Sequence, residues 1–300
     1  MKKFIRIVGV LLILFLLTLL SLAGFVWFRS NSKLKQHYTV TLPPLKIPAD
    51  AAAVERGKHL AITRGCTDCH GPDLAGLKVM ENGAMGTIYG SNITHGQGGL
   101  PASFRDEDYE RAIRHGIGAD GRGLFLMPST DYALFSEEDM GALIAYLKSV
   151  PPVNRPTVPI ALGPVSRALL TFGKIKLAAD EIDHANIKPS VIAPGVTVEY
   201  GRYVANSCTG CHGANFSGGK IASGPPDWPP AANLTPHASG HLAKWSEADF
   251  TKSLREAKRP DGTELHPAMP RAFGQMHDME IQALWTYFKT LPSAPTGQRS

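Results

Sequence analysis

RGCTDCHG, residues 64–71, and SCTGCHG, residues 207–213, contain all four cysteines of this 300-residue chain. In each segment two cysteines stand three positions apart, and a histidine follows the second cysteine directly. The cysteine pairs are Cys66 with Cys69 and Cys208 with Cys211. A pattern that uses every cysteine of a chain in the same way, twice, indicates two copies of one site.

The sequence around the two segments is itself repeated, over residues 54–150 and 199–292. Asn92-Ile93-Thr94 corresponds to Asn233-Leu234-Thr235, and Met127-Pro128 corresponds to Met269-Pro270. His70 precedes Met127 by 57 residues, and His212 precedes Met269 by the same 57 residues. This agreement pairs one histidine with one methionine in each copy.

The C-x-x-C-H pattern is typical of covalent attachment of a c-type haem. Residues i and i+3 share one face of a helix, so two thiols can bond to one edge of a porphyrin. The histidine that follows, His70 or His212, can then bind the iron from below. The sequence therefore predicts two covalently bound haem c groups.

Two other uses of the cysteines remain open. A single zinc ion could take both C-x-x-C pairs as a four-cysteine site, and an exported chain could form disulfides or a redox pair. Neither use accounts for the two histidines or for the matched Met-Pro pairs.

Met127 and Met269 are the expected sixth ligands of the two irons, because a thioether is a soft ligand and Met/His ligation raises the haem potential. The proline after each methionine favours an extended loop. Competing side chains are Met80 and Met85 in the first copy and Met276 and Met279 in the second. His115 and His266 are the alternative nitrogen ligands.

The N-terminal segment carries the positive charge of the chain. Its formal net charge is +5, but residues 1–35 contain six cations and no acid. The rest is close to neutral and shows no basic stripe, which argues against nucleic acid as a partner. Residues 7–28 form an uncharged apolar run, long enough to span a bilayer. Cations before this run predict export of the chain after residue 28; a cleaved signal peptide is the alternative.

The helical periodicity predicts an all-α fold. Apolar residues repeat at helical spacing in residues 140–147 and 281–288, with Ser136 and Asp278 as expected N-caps. Further helices are expected at 106–115 and 247–256, and a linker helix at 165–177. The predicted division is a transmembrane anchor (1–29), a tether (30–53), a first domain (54–152), a linker (153–198), a second domain (199–292) and a tail (293–300).

These motifs resemble those of the class I c-type cytochromes, over residues 66–152 and 208–292. The two-copy arrangement is most similar to the cytochrome c subunits of bacterial membrane-bound alcohol, aldehyde and gluconate dehydrogenases. The resemblance implies two cytochrome c-like helical domains in tandem and electron transfer without chemistry on a substrate.

The expected function is that of a di-haem electron carrier, with its haem domains in the periplasm and its anchor in the bacterial inner membrane. Its expected partners are redox proteins: a dehydrogenase, a cytochrome complex or a terminal oxidase. One alternative is a di-haem enzyme of the peroxidase or thiosulfate dehydrogenase type, which would need an open iron site. A second alternative is an obligate subunit of a dehydrogenase complex.

Overall fold

Two helical domains follow a long N-terminal helix, as the computed structural model describes for residues 1–221, 224 and 228–298. The last two residues of the predicted tail lie outside the described residues. The α-helices are α1 (Lys2–Leu34), α2 (Ala51–Thr63), α3 (Cys66–His70), α4 (Asp106–His115), α5 (Ser129–Tyr132), α6 (Glu137–Ser149), α7 (Pro164–Thr171), α8 (Ala178–Glu181), α9 (Val198–Ala205), α10 (Thr209–His212), α11 (Glu247–Glu256) and α12 (Asp278–Thr290). The 3-10 helices are Asn206–Cys208, His241–Ala243 and Arg271–Gln275.

Each domain is built on the crossing of its first and last long helices. In the first domain α2 crosses α6 at Gly57, and in the second α9 crosses α12 at Gly201. A Cβ atom on either glycine would lie 2.0 Å from a backbone carbonyl oxygen of the partner helix. Glycine is therefore required at both positions, because only a residue without a side chain lets the backbones approach this closely.

The predicted bounds of two helices and one of the two predicted N-caps agree with the structure. Helices α4 and α11 have the predicted bounds, and the Ser136 hydroxyl caps α6 by accepting a hydrogen bond from the Asp139 amide at 3.0 Å. The prediction of Asp278 as the cap of α12 is wrong by one residue. His277 is the cap residue, and its amide donates to the Glu280 carboxylate at 2.9 Å.

A small three-stranded sheet adds to the predicted helical fold. Strands β1 (Lys78–Asn82) and β2 (Gly86–Tyr89) form an antiparallel hairpin, and β3 (Ala161–Leu162) pairs with β2 from the linker. These strands are only two to five residues long, so the sequence carries no sustained alternation that would predict them. The mostly helical architecture of two cytochrome c-like domains is otherwise as expected.

The N-terminal helix and the linker depart from the predicted boundaries. Helix α1 continues to Leu34, five residues into the predicted tether, and it is long and apolar enough to cross a membrane. Helix α7 ends at Thr171, six residues short of the predicted end at Leu177. Gly173 follows with a φ of 68°, a left-handed conformation that stops the helix.

Each domain has its own apolar core, and polar groups join the two domains. Arg64 and His59 of the first domain both contact Glu280 of α12. The Tyr203 hydroxyl of α9 donates to Asp139 Oδ2 at 2.5 Å. These contacts connect α2 and α6 with α9 and α12, so the two domains are docked rather than flexibly tethered.

Candidate haem sites

One cavity of the second domain brings together all four residues that the sequence predicts for its site. Cys208, Cys211, His212 and Met269 line it. Most of the remaining lining is apolar, with Leu234, Leu242, Trp245, Phe250, Phe273, Leu284 and Phe288 among its side chains. The predicted protein ligands of this domain thus surround one largely apolar space.

The local structure explains how these side chains reach the cavity. A 3-10 turn, Asn206–Cys208, runs directly into α10, which ends at His212. The cysteines therefore lie about one helical turn apart, on one face. Met269 belongs to the loop between α11 and the 3-10 helix Arg271–Gln275, where its amide donates to the His266 carbonyl at 2.9 Å.

The first domain contains the corresponding elements. Helix α3 contains Cys66, Cys69 and His70. Cys66 and Met127 are both half-buried and pack against the same apolar core, which also contacts Ile93 and Tyr146. One residue of the C-x-x-C-H motif and the methionine of the Met-Pro loop therefore contact the same core in this domain.

Both motif histidines make the same hydrogen bond. The Nδ1–H of His70 donates to the Ser91 carbonyl oxygen at 2.8 Å, and the Nδ1–H of His212 donates to the Ala232 carbonyl oxygen at 2.8 Å. Because a carbonyl only accepts, Nδ1 carries the proton in each ring and Nε2 keeps its lone pair. A backbone partner on the far nitrogen is how proteins orient a metal-binding imidazole.

Two buried asparagines hold the loops that supply these carbonyls. Asn92 follows Ser91, and its amide donates to the carbonyls of Val153 and Arg155, both at 2.9 Å. Its Oδ1 accepts from the amide and hydroxyl of Thr94 at 2.9 and 2.8 Å.

Asn233 follows Ala232 in the same way. It donates to the Ala294 carbonyl at 2.7 Å and accepts from the amide and hydroxyl of Thr235 at 2.8 and 2.7 Å. Each asparagine thus ties its histidine loop to the chain that leaves the last helix of the domain.

The electrostatics of the sites favour neutral ligand forms. Burial raises the pKa of the Cys208 thiol to about 12, so the free thiol is uncharged at neutral pH. Desolvation of the partly buried ring lowers the pKa of His70, and the hydrogen bond to Ser91 opposes this only in part. His70 is therefore neutral at neutral pH, the form in which an imidazole binds a metal.

The second-domain cavity fits a haem c by the chemistry of its lining. Its donor set consists of two thiols, an imidazole and a thioether, the groups that hold c-type haem. The hydroxyls of Ser207 and Ser253 are buried at its wall and lack a hydrogen-bond partner among the described residues. Arg259 also lines the cavity and would offer a cation to a haem propionate.

The competing ligands have different environments. His115 is buried, and its Nδ1 lies 2.9 Å from His184 Nδ1. Burial, followed by the neighbouring His184, lowers the pKa of His115 to about 4. Met85 contacts the linker, where the Ser166 hydroxyl lies 3.8 Å from its sulfur. These contacts account for both side chains without a role as ligands.

In the second domain two alternative ligands, His266 and Met276, line the same cavity as Met269. Met276 is fully buried in the core, whereas His266 is exposed and its Nδ1 accepts from the Ala268 amide at 3.1 Å. Met269 matches Met127 in position, which neither His266 nor Met276 does.

Comparison with protein families agrees with this duplicated architecture. The cytochrome c family profile matches residues 54–151 and 198–292. The chain belongs to the cytochrome c family. The two matched regions account for two haem c groups, one in each of two cytochrome c domains.

Curated relatives include the fructose dehydrogenase cytochrome subunit of Gluconobacter japonicus. It is 29% identical over 282 residues, covering 85% of this chain and 56% of the relative. The gluconate 2-dehydrogenase cytochrome c subunit of Pantoea cypripedii is 29% identical over 284 residues, covering 83% of this chain and 62% of the relative. This chain therefore spans little more than half the length of these two relatives.

A shorter relative matches over most of its own length. The "Diheme cytochrome c-type" protein of Cereibacter sphaeroides is 27% identical over 266 residues, which covers 79% of this chain and 86% of the relative. The two haems in the name of that protein agree with the two cytochrome c domains of this chain.

Sequence reasoning missed the carbonyls of Ser91 and Ala232 and the cavity residue Arg259. The repeated Asn-x-Thr triplets gave a usable signal for the carbonyls, since each carbonyl directly precedes its asparagine. Arg259 has no counterpart in the first copy, so the repeat carries no signal for it.

Proposed function

We propose that this chain is a membrane-anchored di-haem cytochrome that carries single electrons from a dehydrogenase to the respiratory chain. Its haem domains face the periplasm, and α1 anchors it in the bacterial inner membrane. The observation that carries the proposal is the repeated motif, a C-x-x-C-H helix and a Met-Pro loop in each domain, with Cys208, Cys211, His212 and Met269 lining one cavity of the second domain.

The proposed ligands act in matched pairs. Cys66 with Cys69, and Cys208 with Cys211, hold the two haems through thioether bonds. His70 and His212 would offer Nε2 to the irons, since the carbonyls of Ser91 and Ala232 hold their Nδ1 atoms. Met127 and Met269 would each offer a thioether sulfur. When bound, each haem iron supplies one-electron oxidation and reduction.

A histidine and a methionine for each iron would leave no open coordination position. This favours an electron carrier over a di-haem enzyme, because a peroxidase or thiosulfate dehydrogenase needs an open or labile iron site. The spectrum of the oxidised protein tests this. A sulfur–iron charge-transfer band from both haems is expected. A high-spin ferric signal together with turnover of peroxide or thiosulfate would overturn the carrier assignment.

The relatives direct the choice of partner toward membrane-bound dehydrogenases. Deleting the gene in the source bacterium should abolish the oxygen uptake that its membranes show with one particular sugar, sugar acid or alcohol as the electron donor. The intact chain should restore that uptake, and a chain with Cys208→Ser and Cys211→Ser should not. Unchanged uptake with fructose, gluconate and ethanol after deletion would contradict a role beside dehydrogenases of these three substrates.

The two domains differ in charge, which suggests where a partner docks. Residues 54–150 contain 9 cations and 13 acids, whereas residues 199–292 contain 9 of each. Exposed acids of the first domain include Glu55, Glu107 and Glu138. A basic partner would therefore associate faster with the first domain, with a rate that falls as salt rises. If a basic cytochrome reduces this protein at a rate that does not change with salt concentration, the acidic surface of the first domain is not the docking surface.

A further inference from the structure

The linker helix α7 lies against the end of the apolar helix α1 that is nearer to the haem domains. The Thr171 hydroxyl donates to the Val26 carbonyl at 3.2 Å. Arg167 Nη1 donates to the Ser30 hydroxyl at 2.9 Å and to Asn31 Oδ1 at 3.1 Å. Ser30 is fully buried by this contact. Helix α7 is thus fixed beside the last turns of α1.

This contact determines the depth at which α7 lies in a membrane. Val26 belongs to the apolar run of residues 7–28, and a run of about 20 such residues spans the hydrocarbon layer. Its last residues therefore lie at the boundary between the hydrocarbon and the lipid headgroups. Because Thr171 bonds to Val26, α7 must lie at this boundary whenever α1 spans the bilayer.

Helix α7 has the composition of a helix that lies in the membrane surface. Ser166 and Leu170 form its buried face. On the other face, Val165 is 42% exposed and Phe172, directly after the helix, is 58% exposed. They are seven residues apart, which is about two helical turns, so they face the same side. An amphipathic helix of this kind buries its apolar face in the headgroup and acyl boundary.

A basic crevice lies between α1 and the chain that follows α7. Its lining includes three cations, Arg29, Lys33 and Lys176, together with the apolar side chains of Leu170 and Ile175. One acid of the lining, Asp180, already accepts from Lys33 at 2.6 Å and from the Tyr38 hydroxyl at 2.7 Å. A second acid beside the crevice, Glu181, lies 3.3 Å from Lys176 in an exposed ion pair. Cations beside apolar side chains, at the depth of the lipid phosphates, match an anionic phospholipid.

The hairpin of the first domain connects this region to a haem domain. The Val165 amide donates to the Ala84 carbonyl at 2.9 Å, and the Ser166 hydroxyl donates to the Met85 carbonyl at 2.7 Å. Strand β3, just before α7, pairs with β2. The first domain is thereby held in a defined orientation to α7, and through α7 to the membrane plane.

We infer that α7 and the basic crevice form a membrane-surface element that binds anionic phospholipid in the leaflet nearer to the haem domains. The exposed face of α7 contacts the acyl chains, and Arg29 and Lys176 contact the phosphates. The element orients the first domain on the bilayer. The inference rests on anchoring by α1, which the proposed function also requires.

Spin labelling of the full chain in nanodiscs tests the inference. All four native cysteines are assigned to haem attachment, so an introduced cysteine is the only free thiol. The label is attached at Phe172→Cys, at Leu12→Cys within α1 and at Val191→Cys, an exposed linker position. For each labelled position, the rate at which the spin label collides with oxygen is then compared with the rate at which it collides with a water-soluble nickel complex.

The expected result is that positions 12 and 172 favour oxygen, as lipid-contacting sites do, whereas position 191 favours the nickel complex. If position 12 reports lipid and position 172 reports water, the inference is wrong and the anchor stands. If positions 12 and 172 both report water, the anchor itself is wrong.

The headgroup preference is tested separately, with spin-labelled phosphatidylglycerol and phosphatidylcholine in the same nanodiscs. The preference for phosphatidylglycerol should fall about fivefold for each cation removed in Arg29→Gln and Lys176→Gln. The matched control, Lys220→Gln with Lys252→Gln in the second domain, should leave it unchanged. Equal effects of the two pairs would overturn the assignment of the crevice.

Discussion

The Arg64 guanidinium of the first domain donates to the Glu280 carboxylate of the second domain at 2.7 Å, and both side chains are at least 97% buried. Arg64 stands two residues before Cys66, so the ion pair joins the C-x-x-C-H segment of the first domain to the last helix of the second. His59 donates to the second oxygen of Glu280 at 2.5 Å. This carboxylate therefore joins the two domains through a buried charge.

Glu280→Gln should destabilise the docked pair of domains. Removing one partner of a buried ion pair leaves an uncompensated charge and costs about 3–5 kcal/mol. The matched control is Asp120→Asn, which weakens the exposed pair of Asp120 with Arg122 and should cost less than about 1 kcal/mol. Urea unfolding followed by haem absorbance measures both. If Glu280→Gln and Asp120→Asn both lower the free energy of unfolding by the same small amount, the Arg64–Glu280 pair does not stabilise the docked domains.

The same carboxylate should make domain docking sensitive to acid. Burial alone would raise the pKa of Glu280, but the hydrogen bond from His59 and the charge of Arg64 outweigh it and lower the pKa to about 2. A depressed carboxyl pKa stabilises the folded state above the ordinary value of 4.5, and this contribution is lost as the pH falls toward 2.

The free energy of unfolding is measured between pH 5 and pH 2.5 for the native chain and for the Glu280→Gln chain. The native chain should lose more stability over this interval than the Glu280→Gln chain, because only the native chain has the titrating group. Identical slopes for the two proteins would refute the assignment of this acid sensitivity to Glu280.

Met127→Ala should lower the potential of the first haem and open it to carbon monoxide, because Met/His ligation raises the potential and fills the sixth position. Met269→Ala should have the same effect on the second haem alone. Met80→Ala, on the hairpin, is the control and should change neither haem. Redox titration and carbon monoxide difference spectra measure these effects; an unchanged first haem in Met127→Ala would exclude Met127 as its ligand.

Asn92→Ala should destabilise the first domain by about 2–4 kcal/mol, because it leaves buried carbonyls and an amide without their partner. It should also weaken the orientation of His70, whose carbonyl partner is the preceding residue, Ser91. The control Asn186→Ala removes an exposed hydrogen bond to Asp183 and should cost less than about 0.5 kcal/mol. Denaturant midpoints compare the two; similar midpoints would mean that the asparagine does not brace the loop.

Gly57→Ala should be strongly unfavourable even though alanine favours helices, because its Cβ would lie 2.0 Å from the Ala142 carbonyl oxygen. Overpacking of a well-packed core typically costs about 1–3 kcal/mol, and a clash with a backbone atom lies at the upper end of this range. Gly83→Ala, where a Cβ would meet nothing within 4 Å, is the control. Thermal unfolding measures both. A neutral Gly57→Ala would show that the α2–α6 crossing can widen without loss of stability.

The amino-acid sequence alone determined the number of cytochrome c domains and the family, and it predicts the pairing of histidine with methionine. These features were readable because they are local or repeated: C-x-x-C-H occupies five residues, and the spacing from His70 to Met127 recurs from His212 to Met269. The helices 106–115 and 247–256 were predicted with correct bounds, each as the counterpart of the other in the repeat.

Only the tertiary structure decided how the domains meet, how the linker lies on α1 and which groups hold the histidines. Glu280 is more than 200 positions from Arg64 and more than 200 from His59, and nothing in the local pattern of α12 marks it as an interdomain residue. The strand β3 and the contact of Thr171 with Val26 depend on partners far away in the chain. Such pairings follow from the packing of whole elements, which sequence periodicity does not encode.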